Sequence, residues 1–272
     1  MQVKDKFGIV GFPVKHSLSP LIHNQWLMEN NIQAKYQFLP CENSEYLESF
    51  LLNLKNEGFV GVNVTLPYKN LAFEIVKKFG FEISHEAEVL GAVNTIDFVK
   101  NSATNTDVYG FEKICKIYDD DHILVIGGGG VASSVVMACQ NVNMNANVTI
   151  ANRTVKKAEV IAENLMCDLY SGEISKIDLA NFDIVINATS LGLNGEDLPV
   201  NYKKLGKSIR CFDTIYSPKF TPFLENAKKR GCYVQNGAMM LVYQAEKSFK
   251  FWTGKPANVD LARKIMKDFL IA

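Results

Sequence analysis

Apolar positions in the first hundred residues change period every ten to fifteen residues. "FGIVGF" (7–12), "KYQFLP" (35–40) and "FVGVNVTL" (59–66) are short, β-branched and aromatic runs that predict strands, while "SPLIHNQWLMEN" (19–30) and "EYLESFLLNLKNE" (45–57) carry helical spacing. Helical patterns follow at 69–79 and about 83–90, and "AVNTIDFV" (92–99) predicts another strand. Such alternation points to βαβ units around a mostly parallel sheet.

After the acidic turn "YDDD" (118–121) a second α/β pattern begins. The strand "HILVI" runs into "GGGG", the helix "VASSVVMACQNV" follows, and "NVTIANR", "AEVIAENLM", "FDIVINATS", "IRCFDTIY", "FLENAKKRG" and "CYVQNG" continue the alternation. Beyond Gly237 only two helical stretches remain, "AMMLVYQAEKSFKFW" and "NVDLARKIMKDFL". The pattern predicts an α/β chain of two domains with a boundary near residue 110, and no repeat or low-complexity linker marks it.

Composition narrows the partners. A length of 272 residues with 47% hydrophobic positions fills two cores, and 29 basic against 29 acidic residues give no electrostatic reason for nucleic acid or an anionic membrane. A small-molecule ligand is expected. No basic flank with an apolar run opens the chain and no run of about 18 apolar residues occurs, so a cytoplasmic protein is expected. Cys41, Cys115, Cys139, Cys167, Cys211 and Cys232 lack CxxC or metal-ligand spacing and are expected as buried thiols, with no metal site.

The strongest chemical signal is "ILVIGGGGVASS". Gly127, Gly129 and Ala132 stand in a G-x-G-x-x-G/A pattern between an apolar strand and a helix, the context in which glycines admit a pyrophosphate to a helix N-terminus; a flexible turn is the plainer reading. About twenty residues on, where NAD binders carry an acid for the ribose hydroxyl, the chain reads Asn152, Arg153, Thr154, with Lys156 and Lys157 beyond. That favours NADP, against the alternative of an exposed basic helix start.

Other polar residues are weaker one by one. Ser17 and Ser19 in "KHSLSP" suit a carboxylate or polyol, or Ser19 caps a helix; His16 beside them is expected to bond locally. Asp107 in "NTDVYGF" opens a helix as a cap or as something more, Asn94 in "GAVNT" is a turn residue or a ligand, and Gln244 in an apolar helix faces solvent or needs a partner. Lys69 in "NVTLPYKN" falls in a first helical turn, where the macrodipole disfavours a cation. Together they can grip a hydroxylated molecule and move a proton beside a nicotinamide.

"GFPVKHSLSP", "GVNVTLPYK", "GAVNT", "NTDVYGF", "IGGGGVA", "NRT", "NATSLGL" and "NGAMMLVYQA" occur in the order seen in shikimate dehydrogenases, and the chain resembles that family over nearly its whole length. The resemblance implies NADPH-dependent reduction of 3-dehydroshikimate. It implies a substrate domain over 1–110 completed by helices 238–272 that return to it, a Rossmann NADP domain over 111–237, and an active site in the cleft between them. Ser17 and Ser19 match serines that bind the substrate carboxylate, Tyr216 a tyrosine near it, and Thr65, Lys69, Asn94, Asp107 and Gln244 the residues around its hydroxyls and ring. Lys69 and Asp107 are the implied catalytic pair, the aspartate hydrogen-bonding the lysine and the substrate oxygen. Gly127, Gly128, Gly129, Gly130 and Val131 match the pyrophosphate loop, and Asn152, Arg153, Thr154, Val155, Lys156 and Lys157 the adenosine-phosphate site. Ala188, Thr189, Ser190, Thr214 and Gly237 match cofactor-lining segments, and Met240 a methionine beside the nicotinamide.

Two departures stand out. Ser133 occupies a place where the family commonly has arginine, and Thr214 one where some relatives carry methionine. Rival expectations are a quinate/shikimate dehydrogenase with broader substrate or cofactor use, a non-catalytic NADP-binding module, and a structural two-domain protein. A monomer or homodimer is expected.

Overall fold

The computed structural model describes residues 5–271, and the chain divides into two compact units: the residues up to Thr106 together with Val242–Arg263, and Asp107–Leu241 together with the residues from Lys264 onward.

In the first unit six strands, β1 (Asp5–Gly11), β2 (Ala34–Pro40), β3 (Phe59–Val64), β4 (Glu82–Ile83), β5 (Thr95–Asp97) and β6 (Ser102–Thr104), lie in the order β2-β1-β3-β5-β6-β4. β1 runs parallel to β2 and β3, but β5 is antiparallel to both β3 and β6, so the sheet is mixed rather than mostly parallel. The cause is the connection between β5 and β6. It is far too short for a crossover, which needs a dozen residues or more. The Asp97 carboxylate pins the turn by accepting from the N–H groups of Val99 (2.9 Å) and Lys100 (2.8 Å), and Asn101 takes the left-handed conformation at φ +49°. β4 takes Ile83 from the start of the helix expected at about 83–90, and Ser84 becomes the N-cap of the helix that follows.

The helices α1 (Ser19–Glu29), α2 (Leu47–Asn56), α3 (Lys69–Lys78) and α4 (His85–Leu90) follow the apolar spacing closely. Leu47, Leu51 and Leu54 are the buried stripe of α2, and Ala72, Phe73, Ile75 and Val76 that of α3; both pack in one core with Val62 and Ile96 of the sheet.

The second unit begins with α5 (Asp107–Glu112) and continues β7 (His122–Ile126), α6 (Gly130–Val142), β8 (Asn147–Ala151), α7 (Val155–Leu165), β9 (Asp168–Tyr170), β10 (Ile184–Asn187), β11 (Arg210–Asp213), α8 (Pro222–Lys229) and β12 (Tyr233–Gln235). Every pairing is parallel, in the order β9-β8-β7-β10-β11-β12. Counted from β7, this is the 3-2-1-4-5-6 order of doubly wound dinucleotide folds, with the switch point between β7 and β10. The central strands are continuous apolar runs because both faces are covered: Ile123, Leu124, Val125 and Ile126 are all buried.

α9 (Ala238–Thr253) and α10 (Val259–Ile271) end the chain, and the stretch from Val242 to Arg263 belongs to the first unit. Gly61 on β3 makes room for it. A Cβ there would lie 2.4 Å from Trp252 Nε1, and that nitrogen donates to the Ile96 carbonyl of β5 at 2.9 Å. Trp26 Nε1 on α1 donates to the Asn258 carbonyl at 2.7 Å. Among the described residues no helix is long and apolar enough to cross a membrane, and all six cysteines are free thiols, five buried and Cys167 half-buried.

Between these tryptophans sits His23, 1% exposed, stacked on Tyr36 with ring centroids 4.4 Å apart and an interplanar angle of 2°. Its Nε2 has no hydrogen-bond partner among the described residues, and burial holds its pKa down at about 3. The folded state keeps the ring neutral while the unfolded chain binds a proton below about pH 6.5. His23 therefore contributes its full share of stability above that value and loses it as the pH falls toward 3, at up to ~1.4 kcal/mol per pH unit. Urea unfolding at pH 7 and pH 4.5 checks this: a His23→Phe variant is expected to lose less stability between the two than the wild type, and equal losses would contradict it.

Candidate active site

In the first unit the predicted polar residues do not stand alone but join a buried network. Asn94, immediately before β5, accepts at Oδ1 from the Thr106 N–H (2.8 Å) and donates from Nδ2 to Thr106 Oγ1 (3.0 Å). Thr106 Oγ1 in turn lies 3.4 Å from Gln244 Oε1, so the amide in the apolar helix is buried and held rather than solvent-facing. Ser17 Oγ donates to Ser19 Oγ at 3.1 Å and also accepts from the Ser19 N–H at 3.2 Å. Leu18, not a serine, is the N-cap of α1, and no side chain caps that helix; the Ser17 and Ser19 hydroxyls are thus not spent on it. His16 is exposed.

Lys69 is the first residue of α3. It is 7% exposed, with no acidic residue in its helical turn and no side-chain cap at Tyr68. Neighbouring groups hold this turn firmly. Thr65 N–H donates to the Val10 carbonyl (2.8 Å), the Thr65 carbonyl accepts from Tyr68 N–H (3.0 Å), and Tyr68 OH donates to the Cys41 carbonyl (2.6 Å). The Lys69 carbonyl accepts from Val93 N–H at 3.0 Å, which ties the lysine's backbone to the residue before Asn94.

Asp107 is the first residue of the second unit and of α5, 6% exposed and joined by one peptide bond to the Thr106 of the network. Tyr216 follows β11 in the same unit, its ring edge-on to Phe269 at 6.4 Å.

The glycine turn sits at the end of β7, at the switch point. Gly127 has φ +152°, and a Cβ on it would lie 2.6 Å from the Ala188 carbonyl at the end of β10. On Gly128 a Cβ would meet Asn152 Nδ2 at 2.7 Å and Lys157 Cβ at 3.0 Å. Gly129 is different: a Cβ there would meet nothing within 4 Å, and Gly129 is the N-cap of α6 without a side-chain cap. The turn is closed against the protein at Gly127 and Gly128 and open at Gly129, beside the uncapped helix N-terminus that favours an anion. Val131 continues the first turn of α6, and Ser133 directs its hydroxyl back to the Gly130 carbonyl (3.0 Å).

At the end of β8, Asn152 Nδ2 donates to the Thr154 carbonyl (2.9 Å), which fixes the bend leading to Val155 and α7. Arg153, Lys156 and Lys157 are exposed, and among the described residues none of them has an ion-pair partner. Three unpaired cations with no carboxylate at the strand end suit a 2′-phosphate.

The remaining segments that the resemblance assigns to the cofactor share a frame that sequence reasoning missed. Asn187 Oδ1 accepts from Thr189 N–H (3.0 Å) and Oγ1 (2.7 Å), and its carbonyl accepts from Thr214 N–H (3.0 Å). Asp213 accepts from Asn187 Nδ2 (3.1 Å), Thr221 Oγ1 (2.6 Å) and Ile215 N–H (2.9 Å); burial pushes its carboxyl up to about 6 against the pull of those donors. Ala188 is buried, Ser190 exposed, and Met240 buried in α9. Gly237 lies so close that a Cβ would be 2.1 Å from the Thr214 carbonyl. The available signal was a polar Asn and Asp each ending an apolar strand.

A doubly wound unit with an open glycine turn at its switch point and a basic corner in place of the ribose acid defines a nicotinamide-dinucleotide oxidoreductase scaffold. Three family models match the chain: the shikimate dehydrogenase substrate binding domain over residues 9–96, shikimate / quinate 5-dehydrogenase over 111–193, and the shikimate 5′-dehydrogenase C-terminal domain over 237–267. A shikimate dehydrogenase (NADP(+)) of Methanococcus aeolicus is 39% identical, with 97% of each chain covered. Among solved structures, a shikimate dehydrogenase in complex with NADP+ superposes with a TM-score of 0.86 at 32% identity over 97% of this chain and 95% of that one. The Thermus thermophilus enzyme in complex with NADP(H) and shikimate does so with 0.86 at 30% identity over 97% and 98%. The chain belongs to the shikimate dehydrogenase family.

The glycines separate two kinds of constraint. Gly237→Ala is expected to cost about 1–3 kcal/mol, because the clash is with backbone and cannot be relieved by a rotamer. Gly129→Ala is expected to leave the melting temperature nearly unchanged but weaken NADPH binding, read by fluorescence titration. A Gly129→Ala protein that binds NADPH normally would show that the open side is not the ligand side.

Proposed function

We propose that the protein is an NADP-dependent shikimate dehydrogenase that reversibly reduces 3-dehydroshikimate to shikimate on the chorismate route to aromatic amino acids. The observation that supports this most is the gathering of a hydrogen-bonded serine pair, a buried lysine and two held amides within a single unit. That set matches a ligand with one carboxylate, a ring and several hydroxyls. The open turn at Gly129 and the unpaired Arg153, Lys156 and Lys157 fit NADP as the cofactor. Cytoplasmic location and a monomeric or homodimeric state belong to the same reading.

When bound, the nicotinamide supplies the hydride. Ser17 and Ser19, with Tyr216, hold the substrate carboxylate. Thr65, Asn94 and Gln244 bind its ring and hydroxyls. Lys69, as an ammonium, gives a proton from Nζ to the ketone oxygen as negative charge develops there, and takes it back in the reverse direction. Asp107 accepts a hydrogen bond from that same oxygen when it is the hydroxyl of shikimate, and so fixes the direction in which its proton lies. Arg153, Lys156 and Lys157 would hold the 2′-phosphate and residues 127–131 the pyrophosphate.

Following NADP reduction at alkaline pH with shikimate tests the activity, and parallel assays with quinate and with NAD measure its breadth. Lys69→Ala and Asp107→Ala are each expected to lose about 10²- to 10⁴-fold in turnover with NADPH binding near wild type. Unchanged turnover in Lys69→Ala removes the proton-donor assignment. Arg153→Ala is expected to weaken NADPH binding far more than NADH binding; equal losses contradict the 2′-phosphate role.

A further inference from the structure

Ser248 lies one helical turn beyond Gln244 on α9, fully buried, with four polar neighbours around one hydroxyl. Its Oγ is 3.0 Å from Asn63 Nδ2, 2.8 Å from Thr95 Oγ1, 3.1 Å from Thr106 Oγ1 and 3.0 Å from the Gln244 carbonyl. A hydroxyl has one proton and two lone pairs, so these neighbours compete for it and its orientation is set by theirs. One end of the network is fixed: Tyr36 OH donates to Asn63 Oδ1 at 2.8 Å, which turns the Asn63 amide so that Nδ2 points at Ser248, Thr95 and the Asn94 carbonyl. At the other end the Thr106 N–H fixes Asn94 through Oδ1, and Thr106 Oγ1 meets Gln244 Oε1.

Resting on the shikimate reading, we propose that Ser248 is a positioning residue. It relays a one-directional hydrogen-bond chain from Tyr36 through Asn63 to the Gln244 carbonyl, and so sets the position from which the Gln244 amide meets the substrate's hydroxyls. In this chain Ser248 accepts from Asn63 Nδ2 and donates to the Gln244 carbonyl, while Thr106 Oγ1 donates to Gln244 Oε1 at 3.4 Å. Gln244 is thereby held both by its carbonyl and by its amide oxygen. None of the relaying side chains touches the ligand through Ser248 itself; the serine acts by deciding which way its neighbours point. The low dielectric of a fully buried cluster makes a wrongly oriented amide costly, which gives one hydroxyl its leverage.

A double-mutant cycle of Ser248→Ala and Thr106→Val tests this, with steady-state KM for shikimate, KM for NADP, kcat and melting temperature measured for each enzyme. Ser248→Ala is expected to raise the shikimate KM about 5- to 10-fold, the value of roughly one hydrogen bond. The NADP KM should stay within about twofold and kcat should change less than the shikimate KM, as for loss of binding made equally in ground and transition states. Because both residues hold Gln244, one by its carbonyl and the other by its amide oxygen, the double variant is expected to show a shikimate KM far below the product of the single effects. An unchanged shikimate KM in Ser248→Ala, multiplicative effects in the double variant, or a parallel rise in both KM values would overturn the relay. If Thr106→Val does not fold, Tyr36→Phe takes its place in the cycle with the same expectation. A wild-type enzyme that turns over shikimate while its variants behave multiplicatively defeats the relay alone; a wild type without shikimate turnover defeats the parent reading as well.

Discussion

Burying polar groups is costly, and the first unit buries a dense set of them: Asn63, Asn94, Thr95, Thr106, Gln244 and Ser248 are all enclosed. Each would cost about 1–3 kcal/mol if left unpaired, so the unit is stable only if they satisfy one another. No single segment can do that. Asn63 comes from β3, Asn94 and Thr95 from β5 and the turn before it, Thr106 from the residue after Asn105, and Gln244 and Ser248 from a helix some 138 residues further on by the Thr106–Gln244 separation. This requirement explains why part of the C-terminal helices belongs to the first unit rather than the second. The tryptophans reinforce it, but Trp252 can lie on β3 only because Gly61 offers no side chain.

The second unit solves the opposite problem. Its central strands are apolar on both faces, so polar chemistry is confined to their carboxyl ends, and there backbone takes over from side chains. Gly127 and Gly128 let β7 turn against Ala188 and Asn152 at distances a Cβ would forbid, and Asn187 and Asp213 hold the neighbouring strand ends by accepting and donating to main chain. The result is a rim with two helix starts that no side chain caps, α6 at Gly129 and α7 at Thr154. Ser133, where a cation was expected to be missing, bonds its own helix and adds no charge. Positive charge is instead concentrated at Arg153, Lys156 and Lys157.

What the sequence revealed follows from the range of the interactions involved. The glycine turn, the basic corner and the strand–helix alternation are local, and the doubly wound order follows from alternation once every connection is long enough for a crossover. The mixed character of the first sheet was hidden because two three-residue strands and one two-residue strand carry too little pattern to reveal direction. Asn63 and Ser248 were passed over because each looks unremarkable in its own segment. Asn63 interrupts the apolar run "FVGVNVTL", and Ser248 repeats the face of Gln244 at i+4, but only the pairing of Asn63 with Thr95 across β3 and β5 brings them together.

Lys69 is where the two ways of reading converge. A lysine at the first position of a helix opposes the macrodipole, and burial adds a second cost to the same ammonium. If the position mattered only for folding, the surrounding bonds would serve equally well with another residue, because they use backbone: Val93 N–H meets the Lys69 carbonyl, Tyr68 is anchored through its own hydroxyl, and Asn70 Nδ2 reaches the Gly91 carbonyl at 2.9 Å. None of these requires an ammonium. The turn is thus held by bonds that do not use the lysine side chain. In the proposed role as proton donor, a buried lysine whose backbone is tied to the residue before Asn94 suits proton transfer to a ketone, because a preorganised site bears the cost of desolvation before substrate arrives rather than during the reaction.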